Sequence, residues 1–402
     1  MQRKFLAALI ATAASAPAFS QAPTAEQMWE MIKQQQAEIA ELKAKLEKND
    51  TEIKETRVMA DVAVTAVEDI QQSSTAANNQ TQLGGYGELH YNNLSRDNGT
   101  ATKDQIDYHR FVLFINHEFS KDVRLFTELE IEHSLAGDGK PGEVELEQAY
   151  IEWDVAKNTR AKAGLFLIPV GLLNETHEPD TFYGVERNNV EGRIIPTTWW
   201  EGGLGLSGEF GSGWSYDVAM HSGLFLDGTG AIRSGRQKVA EAKADDFAYT
   251  GRLKYTGLPG LELATTVQYQ SDLWQSEGPE SVDAWLWEAH AVYQSGAFGL
   301  RALYAKWNID SAIETVAPGA DKQDGFYIEP SYKVTDELGL FVRYSEWDLT
   351  AGSSLDTSIS QWDLGLNYWL TPRVVFKADY QNQDADNVNA DDGFNLGVGY
   401  SF

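Results

Sequence analysis

Two periodicities divide this chain. From Ala25 to Ile70 apolar residues recur at alternating steps of three and four, through Met28, Ile32, Ile39, Leu42, Leu46, Ile53, Ala60, Ala63 and Val67, with Glu, Lys and Gln in the intervals. No Gly or Pro interrupts the run after Thr24. A stripe this narrow predicts an α-helix that supercoils with copies of itself rather than one packed on a globular body. Gln35, Asn49 and Thr56 fall on the seam, where polar residues weaken a coil but fix its register. The polar, aperiodic segment SSTAANNQTQ (73–82) then reads as a linker.

From Leu83 the period changes to two. In VRLFTELEIEH, Val123, Leu125, Leu129 and Ile131 alternate with Arg124, Glu128, Glu130 and Glu132. RAKAGLFL sets Ala161, Ala163 and Leu165 against Arg160 and Lys162; YTGRLKYT sets Leu253 and Tyr255 against Arg252 and Lys254; VVFKADYQ sets Val374, Phe376 and Tyr380 against Lys377 and Asp379. The pattern predicts about 16 strands, each near the ~10 residues a tilted membrane strand needs. They begin near residues 84, 107, 123, 145, 160, 202, 214, 248, 261, 284, 298, 325, 338, 359, 373 and 394. Short turns such as FSKD, GLPG and TDE follow even-numbered strands, and longer segments follow odd-numbered ones.

A soluble sandwich shares the alternation along each strand. Three other features favour a membrane barrel. Loop length keeps its parity throughout, the face opposite the apolar one carries paired charges, and aromatic residues cluster near strand ends: Phe119, Trp153, Tyr255, Tyr293, Trp369 and Phe402. An open edge in hydrocarbon leaves backbone groups unsatisfied. The last strand, Phe394 to Phe402, is therefore expected to pair with the first, Leu83 to Asn92, with its apolar face on lipid. The predicted fold class is all-β, a transmembrane antiparallel β-barrel of about 16 strands preceded by an N-terminal α-helical coiled coil.

Composition narrows the function. A net charge of -28 over 402 residues repels nucleic acid, and the lack of Cys removes disulfides, thiol nucleophiles and Cys-based zinc sites. MQRK followed by FLAALIATAASA and PAFSQA has the charge, short apolar run and small residues of a secretory signal, placed at 1–22. The expected organisation is then a coiled coil over 23–72 in the periplasm, a linker over 73–82, and a barrel over 83–402 in the bacterial outer membrane. No stretch reaches the ~18 consecutive apolar residues of a membrane helix.

LGGYGELHYNNL, GDGKPGEVELEQAYIEWD, AGLFLIPVGLLNETHEPDTFYGVERN and IIPTTWWEGGLGLSG resemble the phosphate-selective porin O and P family. The resemblance covers most of 83–402 and is specific in the first half. It implies a homotrimeric outer-membrane porin with loops folded into the pore, passing small hydrophilic solutes or ions, anions such as phosphate among them. A last strand ending in Phe402 resembles the signal read by the barrel assembly machinery. Phosphate selectivity in that family rests on a ladder of Arg and a cluster of Lys. Here the basic candidates for the lumen, Arg110, Arg124, Arg160, Lys162, Arg252 and Lys254, are countered by Glu128, Glu130 and Glu132, with no dense Lys cluster.

The longest non-strand segment, about 169–200, is the candidate constriction loop. It carries Glu175, His177, Glu186, Arg187, Glu191 and Arg193, and charges of both signs facing one another across a pore orient polar solutes. Arg187 and Arg193 are expected to face Glu128 and Glu130. His177 with Glu175 and Glu178 lacks a second His at ligand spacing, so no metal is expected there. Asp384, Asp386, Asp391 and Asp392 lack the order of a calcium loop and suit cation bridges to lipopolysaccharide. IRSGRQKVAEAKADD is the one locally basic loop, suited to anion recruitment or to solvent. No cofactor motif and no nucleophile motif of an enzyme is present. An alternative is a structural anchor in which the coil tethers the outer membrane to the cell wall. A peptide spanning Thr24 to Gln72 is expected to gain helicity with concentration, with modest stability because of its polar seam positions. A monomer by sedimentation at high micromolar concentration refutes the coil.

Overall fold

The computed structural model describes residues 80–402, apart from 97–98, 138 and 227–229, together with Trp29, Lys33, Gln36 and Lys43. Those four are helical and exposed, each one step past a seam position of the expected coil. The remainder of the signal, coil and linker to residue 79 lies outside the described residues.

Sixteen antiparallel strands close a barrel. The first four are β1 (Thr81–Arg96), β2 (Ala101–Ser120), β3 (Val123–Glu132) and β4 (Val144–Ala156). Next come β5 (Thr159–Leu167), β6 (Trp200–Phe210), β7 (Trp214–His221) and β8 (Ala248–Leu258). β9 (Leu261–Gln270), β10 (Ala284–Ser295), β11 (Phe298–Ile309) and β12 (Lys322–Lys333) follow. The last are β13 (Leu338–Asp348), β14 (Ile359–Thr371), β15 (Val374–Asp384) and β16 (Asp391–Ser401). Each strand pairs with its sequence neighbours, and β1 pairs with β16 from Tyr86 opposite Ser401 to Arg96 opposite Asp391. Phe402 extends that seam by exchanging backbone hydrogen bonds with Gly85, at 2.9 and 3.1 Å. The first strand starts at Thr81, so the end of the expected linker is already sheet.

Alternation decides which face meets lipid. Phe376, Tyr380, Phe394 and Leu396 are exposed on the outer face, while Lys377, Asp379 and Asn395 are buried on the inner one. Phe402 is outward as well, its ring 6.3 Å from Phe111. Trp369 departs from the expected aromatic girdle. It points inward, where its indole Nε1 donates to the Asp180 carbonyl at 3.3 Å, and its neighbours Tyr368 and Leu370 take the outer face. Aromatic residues stand close to strand ends on either face, so position along a strand does not by itself identify a girdle residue.

The lumen is far from an empty cylinder. The loop after β5, residues 168–199 and here called L3, folds inward, and the loop after β7, residues 222–247 and called L4, packs on it. Ile168, Val170, Val190, Ile194, Ile195 and Trp199 of L3 join Leu224, Leu226 and Ile232 of L4 in one apolar cluster. Its wall is the inner face of β10 and β11, where Ala284, Leu286, Leu303, Ala305 and Trp307 are buried. Those strands carry Trp285, Trp287 and Tyr304 on the lipid side, so both of their faces are apolar at this level.

On the opposite wall, two glycines of β16 make room for L3. A Cβ on Gly397 would sit 3.1 Å from Val185, and one on Gly399 would sit 2.4 Å from the Cβ of Pro179. The small residues that alternate with the apolar ones in NLGVGYSF are thus the seat of the loop. Gly399→Leu is expected to leave barrel assembly intact but cost about 1–3 kcal/mol in L3 docking, the usual penalty of overpacking. Faster proteolysis within 176–184 and noisier single-channel current are the expected readouts; a loop as resistant as wild type rules this seat out.

Candidate functional site

L3 is irregular chain at membrane depth, where every backbone polar group needs a partner inside the protein. Asn174 closes its neck. Its side-chain amide donates to the carbonyls of Ile168 and Trp199, both at 2.8 Å, and its oxygen accepts from the Trp199 amide at 2.6 Å. Glu191 organises the interior of the loop from a fully buried position. One carboxylate oxygen accepts from the amides of Leu172 and Leu173, at 2.8 and 2.5 Å, and the other from the Tyr327 hydroxyl of β12 at 2.7 Å. Glu191 faces no open lumen.

The deepest part of L3 is bonded to the wall residue by residue. The carbonyls of Asp180, Thr181, Phe182, Tyr183 and Gly184 accept in turn from Trp369, Arg301, Asn367, Arg343 and Lys377. The Val185 amide donates to Asp379 at 2.7 Å. Lys377 also stands 3.6 Å from the centroid of the Phe182 ring, a cation–π contact out of water. Asp180 reaches Ser401 at 2.8 Å, near the short-turn end of the barrel. L3 therefore descends through most of the lumen's height.

The charged candidates of L3 take separate partners. Glu175 pairs with Arg252 of β8, which also holds Asp217 at 2.7 Å. His177 approaches Glu128 and Glu147, at 3.4 and 3.5 Å. Burial disfavours a charged His177 ring, but the two carboxylates outweigh it and raise its pKa to about 9. Glu186 meets His90, Asn92 and Lys103, at 3.3, 2.8 and 3.2 Å. Burial opposes its charge, yet the bond to His90 holds its carboxyl well below the usual range. Arg193 donates to Asn189 at 3.3 Å. Arg187 donates through one nitrogen to the Thr198 hydroxyl at 2.6 Å, while its Nε and second terminal nitrogen have no hydrogen-bond partner among the described residues. Burial, then the nearby Arg110, push the Arg187 pKa down.

Among the described residues, neither Arg187 nor Arg193 makes a direct ion pair with Glu128 or Glu130, the residues expected to face them. Glu128 turns to His177, and Glu130 lies 3.7 Å from Arg110, which also holds Glu88 at 2.8 Å. The other lumen candidates are largely neutralised on the wall. Arg124 pairs with Glu152 at 2.9 Å and with Asp154 at 2.5 Å. Lys254 approaches Glu262 at 4.0 Å, and Arg160 approaches Glu209 at 3.8 Å on the more exposed short-turn side. Lys162 lies 4.4 Å from the Phe166 ring centroid. Glu132 adjoins Glu143 and Glu145, and the latter two are bridged by Lys238 of L4.

L4 braces L3. Arg233 donates to the carbonyls of Gly192, at 2.9 Å, and Thr197, at 2.5 Å, and Arg236 donates to that of Thr198. Burial, then Arg236, push the Arg233 pKa down to about 9. The basic loop of the sequence thus spends its arginines on the return limb of L3. Residues the sequence reading did not assign to the site, Asn174, Asn367 and Asp379, prove central to it. Their signal was present for Asp379, an inward polar residue in an alternating strand.

Two polar cavities remain beside L3. One of about 360 Å³ is lined by Lys103, Glu186, Arg187, Arg193, Arg343, Asp363 and Asp379, among others. Another of about 530 Å³ lies toward the short turns beside Asp180, Tyr183, Arg301 and Lys333. A closed lipid-facing barrel with a charged lumen and an inward-folded loop defines an outer-membrane channel.

The comparisons define its family. A model described as Gram-negative porin matches residues 60–388, and the chain belongs to that family. It is 28% identical over 357 residues to an uncharacterized protein of Aquifex aeolicus (strain VF5), covering 80% of this chain and 79% of that one. Among solved structures it is similar to the anion-selective porin from Comamonas acidovorans, with TM-score 0.59 and 13% identity over 80% of this chain and 99% of that one. Salmonella typhi OmpF gives TM-score 0.57 at 13% identity, over 81% and 99% of the two chains. At such identities the likeness shows the fold alone. The protein is thus an outer-membrane porin, a channel for small solutes.

Glu191→Gln removes the charge from two amide bonds and a hydroxyl bond at once. It is expected to weaken L3 docking by about 2 kcal/mol. Hydrogen exchange at the Leu172 and Leu173 amides should rise roughly thirtyfold, with β13–β16 amides unchanged. Unaltered exchange at both amides rules out the bracing role.

Proposed function

We propose that this porin admits small hydrophilic solutes by passive diffusion past L3, with a modest preference for small anions at Arg187 and Arg193. The observation that carries the reading is Arg187. Two of its guanidinium nitrogens lack a partner, and the residue borders a polar cavity shared with Arg193. Among the described residues, neither arginine forms an ion pair with a carboxylate, whereas Arg343 and Lys103 on the same cavity are paired. A guanidinium with no carboxylate in direct ion-pair contact, in a water-poor constriction, attracts anions more strongly than one in bulk solvent. The neutralised cations elsewhere argue for general anion preference over a dedicated phosphate path of the O and P kind.

A filled lumen on the β10–β11 side favours a second reading, the structural anchor, in which conduction is small and the coil carries the function. OmpT of Vibrio cholerae, another similar barrel at TM-score 0.52 and 12% identity, is described in a trimer form. A homotrimer is proposed here too, set in lipid and lipopolysaccharide and inserted by the assembly machinery through Phe402, with the coil in the periplasm.

Planar-bilayer recording tests both readings. Arg187→Glu with Arg193→Glu should move the reversal potential under a salt gradient toward cation selectivity, with less change in conductance, since the L3 backbone contacts that narrow the lumen are kept. The shift should shrink at high salt, because the Debye length falls from ~10 Å at 0.1 M to ~3 Å at 1 M. Equal reversal potentials at low salt remove these arginines from the pathway. A wild-type barrel that carries no current favours the anchor.

A further inference from the structure

We propose that Glu128, Glu147 and His177 bind one zinc-like first-row divalent cation, which fastens L3 to the barrel wall. The three residues come from β3, β4 and L3, so no sequence spacing announces them. All three are buried, at 2% exposure each. Their ligand atoms lie within 4.8 Å of one another.

The spacing suits a metal better than a hydrogen bond. His177 Nε2 stands 3.4 Å from Glu128 Oε1 and 3.5 Å from Glu147 Oε2. A tetrahedral ion with bonds of ~2.1 Å holds its ligands ~3.4 Å apart along each edge. A charge-assisted N–H···O bond would instead close to ~2.7–2.9 Å. Among the described residues, neither His177 Nε2 nor Glu147 Oε2 has a hydrogen-bond partner, although both are buried and lie close to one another.

The outer contacts fix which atoms face inward. His177 Nδ1 lies 3.2 Å from the Asn174 carbonyl, an arrangement that places the proton on Nδ1 and leaves Nε2 to coordinate. Gln148 donates to Glu128 Oε2 at 2.7 Å and the Tyr86 hydroxyl to Oε1 at 3.3 Å, which leaves Oε1 its second lone pair toward the imidazole. Such orienting partners accompany most histidine and carboxylate metal ligands.

Charge balance points the same way. Glu88, Glu128, Glu130 and Glu147 gather here with Arg110 and Arg187. With His177 a neutral ligand, these four carboxylates face Arg110, Arg187 and, on Glu88, His90, so negative charge is still in excess in a buried site, and buried charge is normally paired or bound to metal. One imidazole with two carboxylates, and water as a fourth ligand, suits Zn²⁺, whereas Ca²⁺ takes six to eight oxygens. Because the ligands span two wall strands and the loop, the ion would hold L3 by its descending limb.

The test uses the full chain, folded in detergent, stripped with chelator and titrated with Zn²⁺ and Co²⁺. One ion per chain is expected. Bound Co²⁺ should show the intense visible bands of a four-coordinate site, and Zn²⁺ should displace it. His177→Gln and Glu147→Gln should each weaken binding by at least about 100-fold, the upper range for loss of an outer-shell partner alone. Glu209→Gln, at an exposed carboxylate, should not. Metal removal should also speed proteolysis of L3 in the wild type. If either variant fails to fold, the wild-type Co²⁺ spectrum still decides. No stoichiometric ion, a six-coordinate all-oxygen spectrum, or undiminished binding in folded His177→Gln overturns the site and leaves a metal-free imidazolium between two carboxylates.

Discussion

Water does not reach the hydrocarbon core, so each backbone group at that depth must be satisfied by the chain itself. The strands meet this demand by closing β1 on β16. L3 meets it with one π-helical turn, Val190–Ile194, and otherwise with irregular chain. Five consecutive carbonyls, from Asp180 to Gly184, each take a donor from an inward side chain of β11, β13, β14 or β15. The loop's path is therefore written on the wall as much as in its own sequence. Remove the inward donors and the buried carbonyls lose their partners at ~1–3 kcal/mol each.

The same constraint sorts the lumen into two sides. Toward β10 and β11, L3 and L4 bury apolar side chains against an apolar wall, and the hydrophobic effect holds them there. Toward β13–β16 and β1, the contact is made of hydrogen bonds and ion pairs, and the cavity that Arg187 and Arg193 share lies on this side. One side anchors the loop by area and the other positions it by direction. A solute path beside Arg187 is compatible with a firmly held loop because the two tasks fall on different walls.

Charge in the lumen is abundant but mostly matched. Arg343 binds Glu329 and Asp363, Arg252 binds Glu175 and Asp217, and Arg110 binds Glu88. Paired charges rigidify the wall and contribute little net field along the pore. Selectivity then falls to the few groups left without an opposite partner, so a count of basic and acidic residues is a poor guide to what the channel passes. The cluster of Glu128, Glu147 and His177 is the mirror case, with two carboxylates set against one imidazole.

The barrel was legible in the sequence because a strand's period of two is a local property. Lys377 and Asp379 face in and Phe376 and Tyr380 face out wherever the strand lies. Strand starts, the parity of loop lengths and the pairing of the last strand with the first all follow from that alternation plus the cost of an open edge. L3 was recognisable by length and mixed charge, but its partners were not. Glu128 meeting His177, Lys377 meeting Gly184 and Gly399 seating Pro179 each join residues far apart in the chain. The apolar inner face of β10 and β11 was hidden because both faces of those strands are apolar, which erases the alternation. The sequence alone determined the strands, their order and their lipid face, since these rest on local pattern and on solvent. Only the tertiary structure decided which charges are neutralised and which stay free, because that depends on distances set when the barrel closes around L3.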